Sequence, residues 1–373
     1  MEVIVIGAGP VGLEAAARLQ DDGHQVRVVD QGEAAAGVAS WGHVTLFTPW
    51  SMLTTERGRQ RIGRDFDDAA LPTGSLWRRE YLLPLADTLD VLPHHTVRSV
   101  ARFAESKGSH IGKATRAEDR FRLLVDTPQG EAYLRADAVI DCTGVLGDPR
   151  PAGAGGLQAL GEARAHAAGL VHYGPVNASE WGNQRVLLIG DGASAVTVLD
   201  QLLDAGATVE WVTANERGPG FASEADDPLP ARRQLHQRAR EAVRSGAVTH
   251  RPQQWVEAFA EHDSGLLVTL HGQGDPLPVD LAVCCTGFRP DLGLHRELQV
   301  HSCYASEGPM KLAAALLGDA GGDCLAPKAG GPELLVNPEP RFFVLGAKSY
   351  GRRNDFLLQN GHRQVEDVAT LLR

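Results

Sequence analysis

Two glycine-rich turns in this sequence have the spacing that holds a pyrophosphate. The first, Gly7-Ala8-Gly9-Pro10-Val11-Gly12, lies between an apolar run from Glu2 to Ile6 and an apolar-periodic run from Leu13 to Gln20. Gly7 permits the tight turn, Gly9 lets phosphates approach the backbone, and Gly12 lets helix and strand pack. Pro10 and Val11 belong to the same ligand set, ahead of a helix whose N-terminus faces the anion. Asp30 closes the run Gln25 to Val29, where an acid accepts hydrogen bonds from a ribose; Gln31 and Gly37, just beyond it, belong to the same candidate set. The second turn, Gly190-Asp191-Gly192-Ala193-Ser194-Ala195, follows Arg185 to Ile189 and leads into Val196 to Leu203 and then Thr208 to Val212. Its ligand candidates are Gly190, Gly192, Ser194 and Ala195. Alanine is allowed at the third position and often accompanies a 2′-phosphate. The strand after it runs on without an acid, and Arg217 lies a few residues later, so NADPH is expected and NADH is the alternative.

The elements that must position these turns can be read around them. Each turn joins an apolar strand to a helix and then a second strand, so each is a βαβ unit of a parallel sheet. Each unit also has a later partner segment, Ala136 to Gly144 (ADAVIDCTG) and Asp280 to Asp291 (DLAVCCTGFRPD), in which an acid precedes an apolar strand ending in Cys-Thr-Gly. Thr143 with Gly144, and Thr286 with Gly287, bring backbone close to a neighbouring nucleotide with no side chain in the way. Two dinucleotide sites in one chain imply hydride traffic between two cofactors.

Other chemistries find little support. With 373 residues and a net charge of −11, the chain is long enough for two domains and lacks the basic stripe of a nucleic-acid binder. No run is long and apolar enough to span a bilayer, and the opening MEVIVIGAG enters a glycine turn too soon for a leader or an anchor. The five cysteines include no C-x-x-C, disulfide framework or zinc pattern, which fits the cytoplasm, and the 14 histidines form no metal or nucleophile constellation. Cys142, Cys284 and Cys285 sit in apolar strand patterns and read as core. Cys303 and Cys324 lie in a polar, glycine-rich stretch and read as two unrelated thiols or, less simply, as a pair.

The order GAGPVG, DCTG, GDGASA, CCTGFRPD and a C-terminal glycine turn resembles the two-dinucleotide-binding flavoprotein superfamily over nearly the whole chain. The resemblance implies two Rossmann-like α/β domains. A discontinuous FAD domain would comprise residues 1–146 and 290–373, with an NAD(P)H domain inserted at 147–289. It also assigns Trp41, Gly346, Phe356, Leu357 and Leu358 to the flavin side. The missing C-x-x-C and the Gly346-Ala347 turn, where disulfide reductases carry Gly-Asp, point away from thioredoxin-reductase-like enzymes. The segment Asn354 to Leu358 resembles the polar-x-Leu-Leu of amine N-hydroxylases, and Asp280 with Cys284 to Phe288 resembles their D-x-x-x-L-A-T-G-Y motif.

The implied activity is a class B monooxygenase that uses FAD, NADPH and O2 to hydroxylate a nitrogen or sulfur of a small metabolite through a flavin C4a-hydroperoxide. A non-oxygenating reductase of a small acceptor and a redox-sensing flavoprotein are the alternatives. The oligomeric state is open, a homodimer included. Candidates for the flavin pocket are His43, Thr48 and Trp50 in WGHVTLFTPW, and Lys348, Ser349, Tyr350, Arg352 and Asn354 after the last strand. The apolar stretch Pro309 to Leu317 reads as a packing helix or, alternatively, a substrate-side lid.

Overall fold

The computed structural model describes residues 1–216, 227–318 and 331–373. The chain folds into two compact units, Met1–Asp148 with Arg289–Arg373, and Pro149–Phe288. Both are α/β units of the Rossmann type.

The first unit opens with β1 (Glu2–Ile6), α1 (Pro10–Asp21) and β2 (Gln25–Val29). There follow β3 (Val91–Leu92), an antiparallel meander of β4 (Thr96–Arg102), β5 (Phe121–Thr127) and β6 (Gly130–Ala136), and then β7 (Ala138–Asp141). The second unit contributes β8 (Val171–Tyr173), β9 (Arg185–Ile189), α2 (Ala193–Ala205), β10 (Thr208–Thr213), α3 (Pro230–Arg244) and β11 (Val248–Pro252). It ends with the meander β12 (Val256–His262), β13 (Gly265–Leu270) and β14 (Leu277–Val279) and with β15 (Leu281–Cys284). The chain then completes the first unit with α4 (Met310–Gly318), β16 (Phe342–Val344) and α5 (Leu358–Leu371).

Each unit has a five-stranded parallel sheet, in the order β16-β7-β1-β2-β3 and β11-β10-β9-β15-β8. The central strands are apolar on both faces because both faces are covered, as parallel sheets require. Val3 and Val5 of β1 pack on the helical side with Leu13 of α1, while Ile4 and Ile6 face Val100, Phe121 and Leu123 of the meander. The second unit repeats this alternation. Val186 and Leu188 of β9 meet Leu199 and Leu202 of α2, and Leu187 and Ile189 meet Phe259 and Val268 of the meander. Period-two alternation in one strand thus builds two core layers. In the first unit a buried ionic cluster adds a clamp: Glu339, ahead of β16, accepts from Arg102 Nε and Arg116 Nη2, both at 2.8 Å.

The helix expected near Pro309 forms as α4 and buries Leu312, Ala313 and Leu316, so packing accounts for its apolar face. Helix α5 begins at Leu358, which leaves Phe356 in the preceding loop, edge-on to Tyr350 at 5.2 Å. Among the described residues no helix is long and apolar enough to cross a membrane.

Candidate dinucleotide sites

At the carboxyl end of β1 the backbone turns so tightly that a Cβ on Gly7, whose φ is +104°, would stand 2.5 Å from the Cys142 carbonyl oxygen. A Cβ on Gly12 would overlap the Gly7 carbonyl oxygen. Both glycines are therefore required by packing. Gly9 is different, because a Cβ there would meet nothing within 4 Å, and the same holds for Gly144. Open space at these two positions, beside the start of a 12-residue helix with no side-chain cap, fits a bound pyrophosphate. Asp30 serves the loop itself: its carboxylate accepts from the amides of Ala8 at 2.6 Å and Gly32 at 2.8 Å. Two carboxylate lone pairs stay free for a ribose.

Behind this loop lies a buried charge network that the sequence does not announce. Asp141, at the end of β7, is fully buried and pairs with Lys348 Nζ at 2.6 Å. Its Oδ1 accepts from the Thr143 hydroxyl at 2.7 Å and the Thr143 amide at 3.1 Å, and Lys348 also donates to the Thr143 hydroxyl at 2.9 Å. Burial by itself would raise the Asp141 pKa, but Lys348, His295 and Thr143 together hold it well below the carboxylate range. The ring of His295 is 3.8 Å away.

The remaining flavin-side candidates divide by burial. Lys348, Ser349 and Tyr350 point into the protein, and Ser349 exchanges hydrogen bonds with Gly346 and Gln364. Trp50 is a core residue stacked on Phe66 at 4.1 Å, and Thr48 is buried. Arg352 is engaged by both carboxylate oxygens of Glu307, at 2.7 and 2.8 Å. Gln31, Gly37 and Asn354 are exposed, Trp41 and His43 are half-buried, and Leu357 is buried. His43 Nε2 has no protein partner. Gly346, at φ +74°, packs on Val11, and this brings the turn after β16 onto the start of α1.

The second unit repeats the loop in the same register with different side chains. Gly190, at φ +115°, fits under the Cys285 carbonyl as Gly7 fits under that of Cys142. Gly192 caps α2 with no side-chain cap hydrogen bond, Ser194 is half-buried, and Ala195 is fully buried. Ile6 pairs with Val29 and Asp141, and Ile189 pairs with Val212 and Cys284. Thr213 therefore stands where the first unit has Asp30, and Cys284 where it has Asp141. The Thr213 hydroxyl meets His250 Nε2 at 2.9 Å and donates to the Asn215 carbonyl at 3.2 Å. Thr286 donates to the Arg150 carbonyl, next to Gly287. Arg217 lies outside the described residues.

Register also explains the two acids that precede the Cys-Thr-Gly strands. Asp137 accepts from the Glu2 amide at 2.8 Å and Asp280 from the Arg185 amide at 2.7 Å. The Asp280 that resembles part of a hydroxylase motif thus performs the same strand-start task as its counterpart in the other unit. Burial pushes the thiols of Cys142 and Cys284 up, and that of Cys285 to about 12. Cys303 goes the other way, because the Ser306 amide and hydroxyl and the Ala305 amide hydrogen-bond its sulfur. Cys324 lies outside the described residues. No group of three or more metal-ligating side chains occurs among the described residues.

Solved structures with the same fold include bacillithiol disulfide reductase Bdr from Bacillus cereus, 18% identical, with 99% of this chain and 98% of that chain covered at a TM-score of 0.76. The ornithine N-hydroxylase of Kutzneria sp. 744 is 17% identical over 100% and 98%, at 0.63. A flavin-containing monooxygenase from Stenotrophomonas maltophilia is 19% identical over 100% and 98%, at 0.61. At these identities the likeness is one of fold. Comparison with curated proteins found no matching sequence. Residues 1–303 match the profile of the pyridine nucleotide-disulphide oxidoreductases. With four fifths of its length matched and both glycine turns built for dinucleotides, the chain belongs to that family of FAD-binding, NAD(P)H-using oxidoreductases.

Proposed function

We propose that the protein is an FAD- and NADPH-dependent monooxygenase of a small metabolite that works without a protein dithiol as intermediary. The observation that carries this reading is the state of the thiols. All four described cysteines are buried; Cys303 has no described partner thiol, and Cys142, Cys284 and Cys285 have raised pKa values. A thiolate is the species that exchanges with disulfides, so these last three thiols are inert to that chemistry. In the reaction one oxygen atom of O2 enters a nitrogen or sulfur of the substrate, the other leaves as water, and NADPH supplies the two electrons.

In this reading Gly7, Gly9, Gly12 and the start of α1 hold the FAD pyrophosphate, Asp30 a ribose, and Thr143 with Gly144 the neighbouring part of the nucleotide. Gly190, Gly192, Ser194 and Ala195 hold the nicotinamide dinucleotide. Thr213 in place of an acid removes the repulsion that a 2′-phosphate would meet there, which favours NADPH. Bound FAD supplies two-electron exchange with the nicotinamide and reactivity toward O2.

A second reading is favoured by Cys303, whose lowered pKa suits exchange with a small disulfide, and by the bacillithiol reductase among the similar folds. NADPH oxidation, O2 uptake and peroxide release should be measured with panels of amines, thioethers and small disulfides. Oxygen uptake matched by an N- or S-oxygenated product supports the first reading. Rapid anaerobic turnover of a disulfide, with no oxygenated product in air, would replace it with the second.

A further inference from the structure

We infer that Lys348 and Asp141 are positioning residues for the flavin nucleotide, holding the Thr143 hydroxyl so that it meets the ligand as a hydrogen-bond acceptor. The inference rests on the placement of FAD in the first unit proposed above. A hydroxyl has one proton and two lone pairs. The Thr143 proton is committed to Asp141 Oδ1 at 2.7 Å, and one lone pair is taken by Lys348 Nζ at 2.9 Å. Thr143 is nonetheless an exposed residue, so the second lone pair is left for a ligand that reaches this side chain. It suits a hydroxyl or N–H donor of the nucleotide and repels a phosphate oxygen. The Thr143 amide is tied to the same carboxylate at 3.1 Å, which fixes the turn as well as the side chain.

The fold does not require this arrangement. In the second unit the same Cys-Thr-Gly turn, in the same register, forms with Cys284 in place of Asp141, and the Thr286 hydroxyl is spent on the Arg150 carbonyl. A buried ion pair is at best a weak contributor to stability when an apolar pair could fill the same volume. Its presence in one unit and absence from the other, with a surface hydroxyl oriented by it, points to the ligand as its purpose.

The test is titration of the full-length apoprotein with FAD, followed by flavin fluorescence, alongside melting of the same apoprotein. Thr143→Val and the double variant Asp141→Asn/Lys348→Met should each raise the FAD dissociation constant by roughly tenfold, the size of one hydrogen bond. Their apo melting temperature should stay close to that of the wild type, and Thr143→Ser should bind FAD normally. Wild-type affinity in Thr143→Val overturns the inference even if the double variant does not fold. So does a loss of affinity that only tracks a loss of apo stability. Gly9→Trp separates this inference from its premise, because the open space at Gly9 lets the fold accept the side chain. If Gly9→Trp still binds FAD, the placement in the first unit fails. If it loses FAD while Thr143→Val keeps it, the positioning role alone fails.

Discussion

The loop after β1 and the loop after β9 follow the same backbone course in the same strand register, yet they are secured differently. In the first unit carboxylates do the work: Asp30 grips two loop amides, and Asp141, paired with Lys348, grips Thr143. In the second unit neutral groups occupy both places, Thr213 against His250 and Cys284 in the core. Only Gly7 and Gly190 are held in common by sterics, since each sits under a carbonyl of the adjacent strand. The backbone course of a dinucleotide loop thus depends on a few close approaches. The charges around it are free to vary, and they are where the two units of one fold differ.

Substitutions can break this comparison, beginning with the largest expected effect. Gly12→Ala puts a methyl group into the Gly7 carbonyl and should cost more than about 4 kcal/mol, seen as loss of cooperative unfolding and of FAD. The matching change in the second unit, Ala195→Gly, should cost only about 1 kcal/mol, from helix propensity. Lys348→Met leaves the Asp141 charge buried and unpaired, which should cost about 3 to 5 kcal/mol by denaturant melts near neutral pH. The sign of its pH dependence follows. In the wild type the Asp141 pKa is depressed, so its contribution is full above the unfolded carboxylate pKa and fades as pH falls toward the folded value. In the variant an unpaired buried carboxyl prefers its proton, so the deficit relative to wild type should shrink on acidification.

Smaller effects sharpen the contrast. Asp30→Ala strands two loop amides and should cost about 1 to 3 kcal/mol, whereas Thr213→Val should cost about 1 kcal/mol, both by chemical denaturation. Equal losses would mean that the two strand ends are closed alike. Thr213→Glu puts a carboxylate at a buried strand end and should cost at least as much as Thr213→Val, yet in the folded enzyme it should shift preference from NADPH toward NADH by about tenfold in kcat/KM, through repulsion of the 2′-phosphate. An unchanged ratio would remove Thr213 from the specificity argument.

Local pattern makes much of the scaffold legible. The strands at Glu2–Ile6, Gln25–Val29 and Arg185–Ile189 have the bounds that their apolar residues suggest; in β1 and β9 a parallel strand covered on both faces leaves a hydrophobic run after its first residue, whereas β2 keeps Arg27 exposed between buried valines. Helix ends are less legible. Helix α1 starts at Pro10, three residues before its apolar periodicity does. The antiparallel meanders leave a weaker trace, since β6 is half exposed and lacks a continuous apolar signal. Polar residues near the last strand suggest a pocket wall, but Lys348 finds its partner 207 positions away in the sequence, at Asp141.

The sequence by itself determined the family, the two glycine turns and the absence of C-x-x-C, because each is a matter of residue type at fixed short spacing. Only the tertiary structure decided which charges meet. Ion pairing depends on which strand ends lie side by side, and the β16-β7-β1 order brings Lys348, Asp141 and Thr143 together behind Gly7. It likewise decided that Asp137 and Asp280 do the same work, since strand register, invisible in the linear chain, places both acids on the first amide of a central strand.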